Sequence, residues 1–285
     1  MAADKSQTNR ESISDAIRTM LDDGLTAVLT TLIDWPQTAT AELQVGAKLL
    51  VTESDERIGS LGDRDLDESA ASQAAKFFAS REQTKMSKAE EFAPELKRFH
   101  GATLLFERIE AEPRLVIAGA GHVGASLARL AALTGYQVTL IDDRAEFVGR
   151  ELFASEYAKD IELVTAADWA TSMREAIADG RGVAVAIVTR GHKQDEDCLR
   201  AAMGANSDYI GMIGSRRRTN IVLEKLRQEG VYDELLRNVH APIGLDIGAV
   251  SPEEVALAIL AEIVAERRGG SGAPLSQWRR LESEN

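Results

Sequence analysis

Cysteine is nearly absent from this sequence. Cys198 is the only cysteine among 285 residues, so neither an internal disulfide nor a metal site built from cysteines can form within the chain. We predict that Cys198, in the segment DEDCLRAAM, is a core thiol. The sequence also contains no Ser-His-Asp or HExxH pattern and no Walker-type phosphate loop. It therefore gives no sign of those hydrolytic chemistries, and no metal site is predicted.

Positively charged residues are outnumbered by negatively charged ones, and long apolar runs are lacking. The chain has 33 Lys and Arg against 46 Asp and Glu, a net charge of −13, which counts against non-specific binding to nucleic acid or anionic membranes. No apolar run approaches the roughly 18–20 residues of a membrane span, and the opening residues MAADKSQTNRES have no apolar signal core. We therefore predict a soluble cytoplasmic protein, in which a local basic cluster could still bind an anion.

The most informative stretch of the sequence runs over residues 114–142. Leu115 to Ala118 is a short apolar run, and Gly119-Ala-Gly121-His-Val-Gly124 follows it directly. A helical apolar pattern then leads to a second apolar run that ends at Asp142. This order of strand, glycine turn, helix, strand and acid is the context that the dinucleotide-binding fingerprint requires.

Each residue of the fingerprint has a physical task. Gly119 permits the tight turn, Gly121 leaves room for a pyrophosphate, and Gly124 lets the helix pack closely on the strand. The helix N-terminus attracts phosphate through its free N–H groups. Asp142 lies 18 residues after Gly124, close to the spacing of about 20 for a carboxylate that accepts a ribose hydroxyl. The alternative is a Rossmann fold whose glycines serve only packing.

The remaining pattern indicates two domains and a tail. Residues 1–110 mix β-rich and helical segments and predict a small α+β domain, in which the charged residues 81–99 form a connecting loop or loose helix. Residues 113–268 alternate strand and helix, and residues 183–188 are continuously apolar, as in a central parallel strand. Residues 269–285 predict a mobile tail. The predicted fold class is α/β, a Rossmann-like doubly wound parallel sheet with a smaller N-terminal α+β domain.

Polar or glycine-rich loops follow four of the predicted parallel strands. They are Gly119–Gly124, Asp142–Arg144, Thr189–His192 and Gly214–Arg218. In a doubly wound sheet, ligands bind beyond the carboxyl ends of the strands, where the strand order reverses. We therefore expect these loops to meet at one binding site.

The turn at Gly214 is a second candidate anion site. Ser215 can cap the following helix, and Arg216, Arg217 and Arg218 add positive charge. Neighbouring helical side chains point about 100° apart, so the three cannot all face one ligand. We expect Arg216 or Arg217 to be the binding residue; a solvated helix start with ion pairs to nearby acids is the alternative.

Four further side chains are candidates for the site. Arg190 and His192 follow the central strand, His122 lies inside the glycine turn, and Asp246 lies in a glycine-rich loop. His192 is the candidate proton donor, although both histidines and Asp246 also have an ordinary structural interpretation. Asp195 is expected to cap the next helix, and orienting His192 is its alternative role.

Taken together, these motifs resemble a known family. LVIAGAGHVG, VTLIDDR, VTRGHKQDEDCL, YIGMIGSRRR and PIGLDIGAVSPEEVALAILAEIVA occur in this order and are similar to the C-terminal domain of xanthine dehydrogenase accessory proteins of the XdhC/CoxI type. GAKLLV and RIGSLGDRDLDESA resemble that family's smaller domain. The resemblance implies a factor that binds the molybdenum cofactor (molybdopterin) and assists its sulfuration and its insertion into a xanthine dehydrogenase-type molybdenum hydroxylase. The implied partners are the apo-hydroxylase and a cofactor-sulfurating enzyme, and a homodimer is left open.

Three segments depart from the family pattern. Thr38–Gln44 replaces a Gly-Ser-x-Pro-Arg-like segment, Gly62-Asp-Arg-Asp65 replaces a Gly-Gly-Cys/Glu turn, and residues 189–192 read Thr-Arg-Gly-His instead of Thr-His-Gly-His. We therefore expect an altered or lost N-terminal site, and a role that needs a cysteine there is excluded.

Two other functions fit the same fingerprint. An NAD(P)-dependent oxidoreductase would use Asp142 to prefer NAD over NADP, because the carboxylate repels a 2′-phosphate, and His192 would be its only candidate base. A nucleotide-sensing regulator would bind NAD(P) without chemistry and close its two domains on it. We rank the cofactor-binding accessory factor first, a chaperone rather than an enzyme.

Overall fold

The computed structural model describes residues 13–36, 43–80, 82–149, 158–178, 182–205 and 207–277. These residues form two compact units that divide between Ala111 and Glu112. The sequence interpretations of residues 1–12, of the end of the predicted tail and of most of Thr38–Gln44 lie outside the described ranges.

The first unit is built on a five-stranded antiparallel sheet in the order β3-β2-β1-β5-β4. Its strands are β1 (Ala27–Asp34), β2 (Lys48–Thr52), β3 (Arg57–Ser60), β4 (Thr84–Lys88) and β5 (Thr103–Ile109). Its helices are α1 (residues 13–22), α2 (Arg64–Phe78) and α3 (Ala89–Phe92). Apolar side chains of α2 cover one face of the sheet, namely Leu66, Ala70, Ala74 and Phe77.

The prediction of a loop or loose helix over residues 81–99 was wrong. This stretch contains β4 and α3, and β4 pairs with β5 along its whole length. β4 is the last strand in the sheet order, and only Ser87 among its five residues is buried. An edge strand that buries so little carries no apolar alternation, so its sequence resembles a polar loop.

The second unit is built on a six-stranded parallel sheet. Its strands are β6 (Arg114–Ala118), β7 (Gln137–Asp142), β8 (Ile161–Thr165), β9 (Val183–Ile187), β10 (Tyr209–Met212) and β11 (Val239–His240). They are arranged β8-β7-β6-β9-β10-β11, and every neighbouring pair is parallel. This is the Rossmann strand order, which reverses between β6 and β9. The predicted α/β fold is confirmed.

Helices cover both faces of the parallel sheet. They are α4 (His122–Leu133), α5 (Trp169–Ile177), α6 (His192–Gly204), α7 (Arg216–Gln228), α8 (Asp233–Arg237) and α9 (Pro252–Arg268). One core cluster contains Leu127 of α4 and Ile259 of α9, and the other contains Met173 of α5 and Leu199 of α6. β9 lies between them and is buried at all five positions, as the continuous apolar run predicted.

The capping residues in the sequence predicted the start of the last helix, α9, correctly. The Ser251 hydroxyl accepts the N–H of Glu254, and the Glu254 carboxylate accepts the N–H of Ser251, so the two form a capping box at the start of α9. Two short elements, α8 and β11, were not predicted, and α6 begins three residues earlier than expected. Within the described residues, the helices are too short or too polar to cross a lipid bilayer.

Candidate functional site

The loops that follow β6, β7, β9 and β10 surround one cleft of about 400 Å³. This volume lies within the usual range of small-molecule sites, about 300–1,000 Å³. The cleft lies at the carboxyl ends of the strands, where the strand order reverses. Its lining comprises Gly119, Gly121, His122, Val123, Asp142, Asp143, Arg144, Trp169, Val188, Thr189, Arg190, Gln194, Ile213, Gly214, Arg218 and Pro252.

The glycine turn after β6 has the geometry that the sequence indicated. Gly119 has a φ of +110°, and an added Cβ would lie 2.7 Å from the carbonyl oxygen of Val188. At Gly124 an added Cβ would lie 1.8 Å from the carbonyl oxygen of Gly119, so α4 can approach the turn only without a side chain there. At Gly121 no atom lies within 4 Å of an added Cβ. The turn is therefore closed by Gly119 and Gly124 and open to the cleft at Gly121.

Five helices direct their first turns to the cleft. The first N–H groups of a helix have no acceptor within it and carry a partial positive charge. Several such ends around one cavity favour an anion, phosphate above all. The contributing residues are His122 and Val123 of α4, Trp169 of α5, Gln194 of α6, Arg218 of α7 and Pro252 of α9.

Asp142 forms its hydrogen bonds inside the protein. One carboxylate oxygen accepts the N–H of Ala120 at 2.7 Å and Nη2 of Arg144 at 2.9 Å, and the other accepts the N–H of Arg144 at 3.0 Å and its Nε at 2.8 Å. Burial works to raise the pKa of Asp142, but these hydrogen bonds outweigh it and hold the pKa below its ordinary value. The carboxylate predicted to accept a ribose hydroxyl is thus engaged by Arg144.

A second buried carboxylate connects the segments that follow β9 and β10. Asp195 is fully buried, accepts the hydroxyl of Thr189 at 2.5 Å, and forms an ion pair with Arg218. Burial raises the pKa of Asp195 above its ordinary value, against the hydrogen bonds from Thr189 and Arg218. Gly191 is the N-cap of α6, so the expectation that Asp195 caps this helix was wrong.

The three arginines at the start of α7 differ in whether they line the cleft. Arg218 lines the cleft, whereas Arg216 and Arg217 are exposed and lie outside its lining. Ser215 caps the helix by accepting the N–H of Arg218 at 3.3 Å. Arg218, the third residue after this cap, reaches the cleft because it forms an ion pair with Asp195. The sequence alone did not show this partner.

The other predicted residues divide between the cleft and its surroundings. His122, Arg190 and Gly214 line the cleft. His192 is the exposed first residue of α6, and Asp246 is exposed in its loop; neither belongs to the lining. The candidate proton donor therefore does not face the cavity.

Two polar groups of the cleft residues lack acceptors. Nε1 of Trp169 and Nε of Arg218 are buried and have no hydrogen-bond partner among the described residues. Buried donors in native proteins are nearly always paired, with a ligand or water where protein groups do not reach. Trp169 carried no signal in the sequence, since its place at the cleft depends on how α5 packs in the folded unit.

A comparison with known families agrees with this geometry. The model described as the XdhC Rossmann domain matches residues 115–263, which include all four loops of the cleft. The chain belongs to the XdhC family. The resemblance seen in the sequence motifs is confirmed.

Individual relatives match between 54% and 61% of this XdhC-family chain. The uncharacterized protein YqeB of Escherichia coli K12 is 33% identical over 173 residues, 60% of this chain and 31% of its own length. A probable subunit of xanthine dehydrogenase from Bacillus subtilis is 32% identical, over 61% and 49% of the two chains. The molybdenum cofactor insertion chaperone PaoD of E. coli is 27% identical, over 54% and 40%. The chain therefore matches less than half the length of these curated relatives.

A solved structure is similar along most of the chain. The crystal structure of a xanthine dehydrogenase from Bacillus halodurans covers 93% of this chain and 98% of its own, with a TM-score of 0.48 and 16% identity.

Proposed function

We propose that this XdhC-family chain binds the molybdenum cofactor in the cleft and assists its sulfuration and its insertion into a xanthine dehydrogenase-type molybdenum hydroxylase. Residues 113–268 are the cofactor-binding domain in this proposal, and residues 1–110 are a separate α+β domain. The observation that carries it is the meeting of four strand ends, five helix N-termini and three arginines at one cavity. The relative PaoD, a molybdenum cofactor insertion chaperone, supports the same role.

The residues that line the cleft fit the chemistry of the molybdenum cofactor. Molybdopterin carries a phosphate, which the first N–H groups of α4 and the guanidinium groups of Arg190 and Arg218 would hold. The unpaired Nε1 of Trp169 offers a hydrogen bond to a heteroatom of the pterin. The open space at Gly121 lets the ligand approach the backbone. The bound cofactor supplies the molybdenum centre, and the chain's own residues bind and orient it.

The single cysteine limits what the chain can do in sulfuration. Cys198 is fully buried in α6, and burial raises the pKa of its thiol above the ordinary value. Sulfur carriers need an accessible thiolate, so this thiol cannot serve as one. In this proposal the chain presents the cofactor to a cofactor-sulfurating enzyme, which brings the sulfur, and then to the apo-hydroxylase.

The test is retention of the cofactor by the purified chain. We expect the chain, isolated from cells that make the cofactor, to release molybdopterin that mass spectrometry identifies. Arg190 is 55% exposed and has only a long contact of 3.4 Å with Asp143, so Arg190→Ala should preserve the fold. Loss of one charge-assisted hydrogen bond predicts about tenfold weaker retention.

Arg216→Ala is the matched control, because Arg216 is exposed in the same region of positive charge but does not line the cleft. It should retain the cofactor as the unmodified chain does. An unmodified chain that releases no pterin, or equal losses in the two variants, would contradict the proposal.

A further inference from the structure

The pair of Asp142 and Arg144 replaces a known recognition device. In Rossmann domains that bind NAD, the acid at the end of the second strand accepts the ribose hydroxyls, whereas a nearby arginine accommodates the 2′-phosphate of NADP. Here the acid ends β7 but receives four hydrogen bonds, one from Ala120 and three from Arg144. Its side chain is only 2% exposed, so a ribose diol finds no free acceptor there.

The Arg144 guanidinium is held by hydrogen bonds along one edge, and its other edge faces the cleft without a hydrogen-bond partner among the described residues. Nε and Nη2 bind Asp142, and the group lies 3.7 Å from the ring centre of Phe147. Nη1 has no hydrogen bond within the described parts of the chain, and Arg144 lines the cleft with its side chain 25% exposed. A planar guanidinium held on one edge presents its other donors in a fixed direction.

The neighbouring charges do not cancel this effect. The nearest other carboxylate is Asp143, 3.8 Å from Nε of Arg144, and it also contacts Arg190 at 3.4 Å. Asp195 is paired with Arg218. These three carboxylates are thus all paired with arginines, and the helix N-termini add positive potential beyond these pairs.

We propose that Arg144 makes the cleft selective for a phosphate monoester and closes it to the ribose diol of NAD. The inference depends on the proposed function only in taking this cleft as the ligand site. The phosphate monoester can belong to a pterin or to the ribose of NADP, and the two sources are separated by experiment. The selectivity is the reverse of what a free Asp142 carboxylate predicts.

NAD⁺ and NADP⁺ are matched probes, because they differ by one phosphate monoester. In calorimetric titrations of the full chain, we expect NADP⁺ to bind about tenfold more tightly than NAD⁺. Arg144→Met keeps the side-chain stem and removes two donors to Asp142, so it should abolish this preference and strengthen NAD⁺ binding. Arg144→Lys keeps the charge and should retain part of the preference. Arg216→Met, outside the cleft, should leave the ratio unchanged.

Several results would overturn the inference. These are equal affinities of the unmodified chain for the two dinucleotides, an unchanged ratio in Arg144→Met, and no binding of NADP⁺, inorganic phosphate or molybdopterin at millimolar concentration. If Arg144→Met does not fold, Arg144→Gln, which also removes the charge, takes its place, and an unchanged ratio in that variant has the same meaning.

Retention of molybdopterin is measured separately, so the two proposals can fail independently. A chain that prefers NADP⁺ through Arg144 but retains no pterin keeps this inference and loses the proposed function. A chain that retains pterin equally well with Arg144→Met keeps the function and loses this inference.

Discussion

Substitution by alanine should have different effects at two glycines of one turn: a loss of stability at Gly124 and a loss of cofactor retention at Gly121. In Gly124→Ala the new methyl group would lie 1.8 Å from the carbonyl oxygen of Gly119, which is backbone and cannot rotate away. Overpacking costs about 1–3 kcal/mol, and a contact with backbone belongs at the upper end, so we expect a loss of about 3 kcal/mol in the free energy of unfolding. For a unit of this size, that lowers the melting temperature by roughly 6–12 °C.

Gly121→Ala is the matched control for stability. No atom lies within 4 Å of its added Cβ, and its φ of −65° suits alanine. The poorer capping by alanine at this N-cap costs about 0.5–1 kcal/mol, and the stiffer unfolded chain offsets a similar amount, so the net change should be near zero. The methyl group would, however, occupy the space through which a ligand approaches the turn, and cofactor retention should fall.

Urea unfolding measures the first effect, and mass spectrometry of released pterin measures the second. If both variants lose the same stability, the argument that Gly124 serves packing and Gly121 serves the ligand is refuted. The reasoning would also fail if Gly121→Ala retained the cofactor unchanged.

Three further substitutions test other parts of the second unit. Ser251→Ala removes the hydroxyl that accepts the N–H of Glu254 and should lower the free energy of unfolding by about 1 kcal/mol in urea titrations. The pKa of Asp142 is lowered from its ordinary 3.8, so its contribution to stability is complete above about pH 4 and is lost as the pH falls through the lowered pKa. Asp142→Asn should therefore cost about 3 kcal/mol at neutral pH and flatten the acid decline; an unchanged acid slope would contradict this. Trp169→Phe should weaken cofactor binding about fivefold in titrations, with little change in the melting temperature.

Features set by residues close together in the chain could be predicted from the sequence. The glycine turn, the acid at the end of β7 and the capping box of α9 each depend on fewer than thirty consecutive residues, and the structure contains all three. The continuous apolar run of β9 likewise indicated burial on both faces. In each case the local pattern and the fold require the same residue types.

Features set by distant partners could not be predicted in this way. Arg218 reaches the cleft because Asp195, 23 positions earlier in the chain, binds it. Arg144 is close to Asp142 in sequence, but whether it turns back onto the carboxylate or out to solvent depends on Phe147 and on the Ala120 N–H. β4 becomes a strand through β5, since its own residues bury only Ser87.

These pairings explain how a chain of net charge −13 can form the proposed anion site. At physiological salt, charges farther than about 8 Å from a ligand are largely screened, so the excess of distant carboxylates matters little inside the cleft. Around it, three arginines are paired with aspartates: Arg144 with Asp142 and more distantly Asp143, Arg190 with Asp143, and Arg218 with Asp195. An arginine held on one edge by a carboxylate has already lost most of its side-chain freedom, so a ligand that binds its other edge bears less of that entropy cost. At Arg144 and Arg218 the aspartates therefore lower the net charge of the proposed site but fix the direction of its donors, and direction is what selective recognition of a phosphate requires.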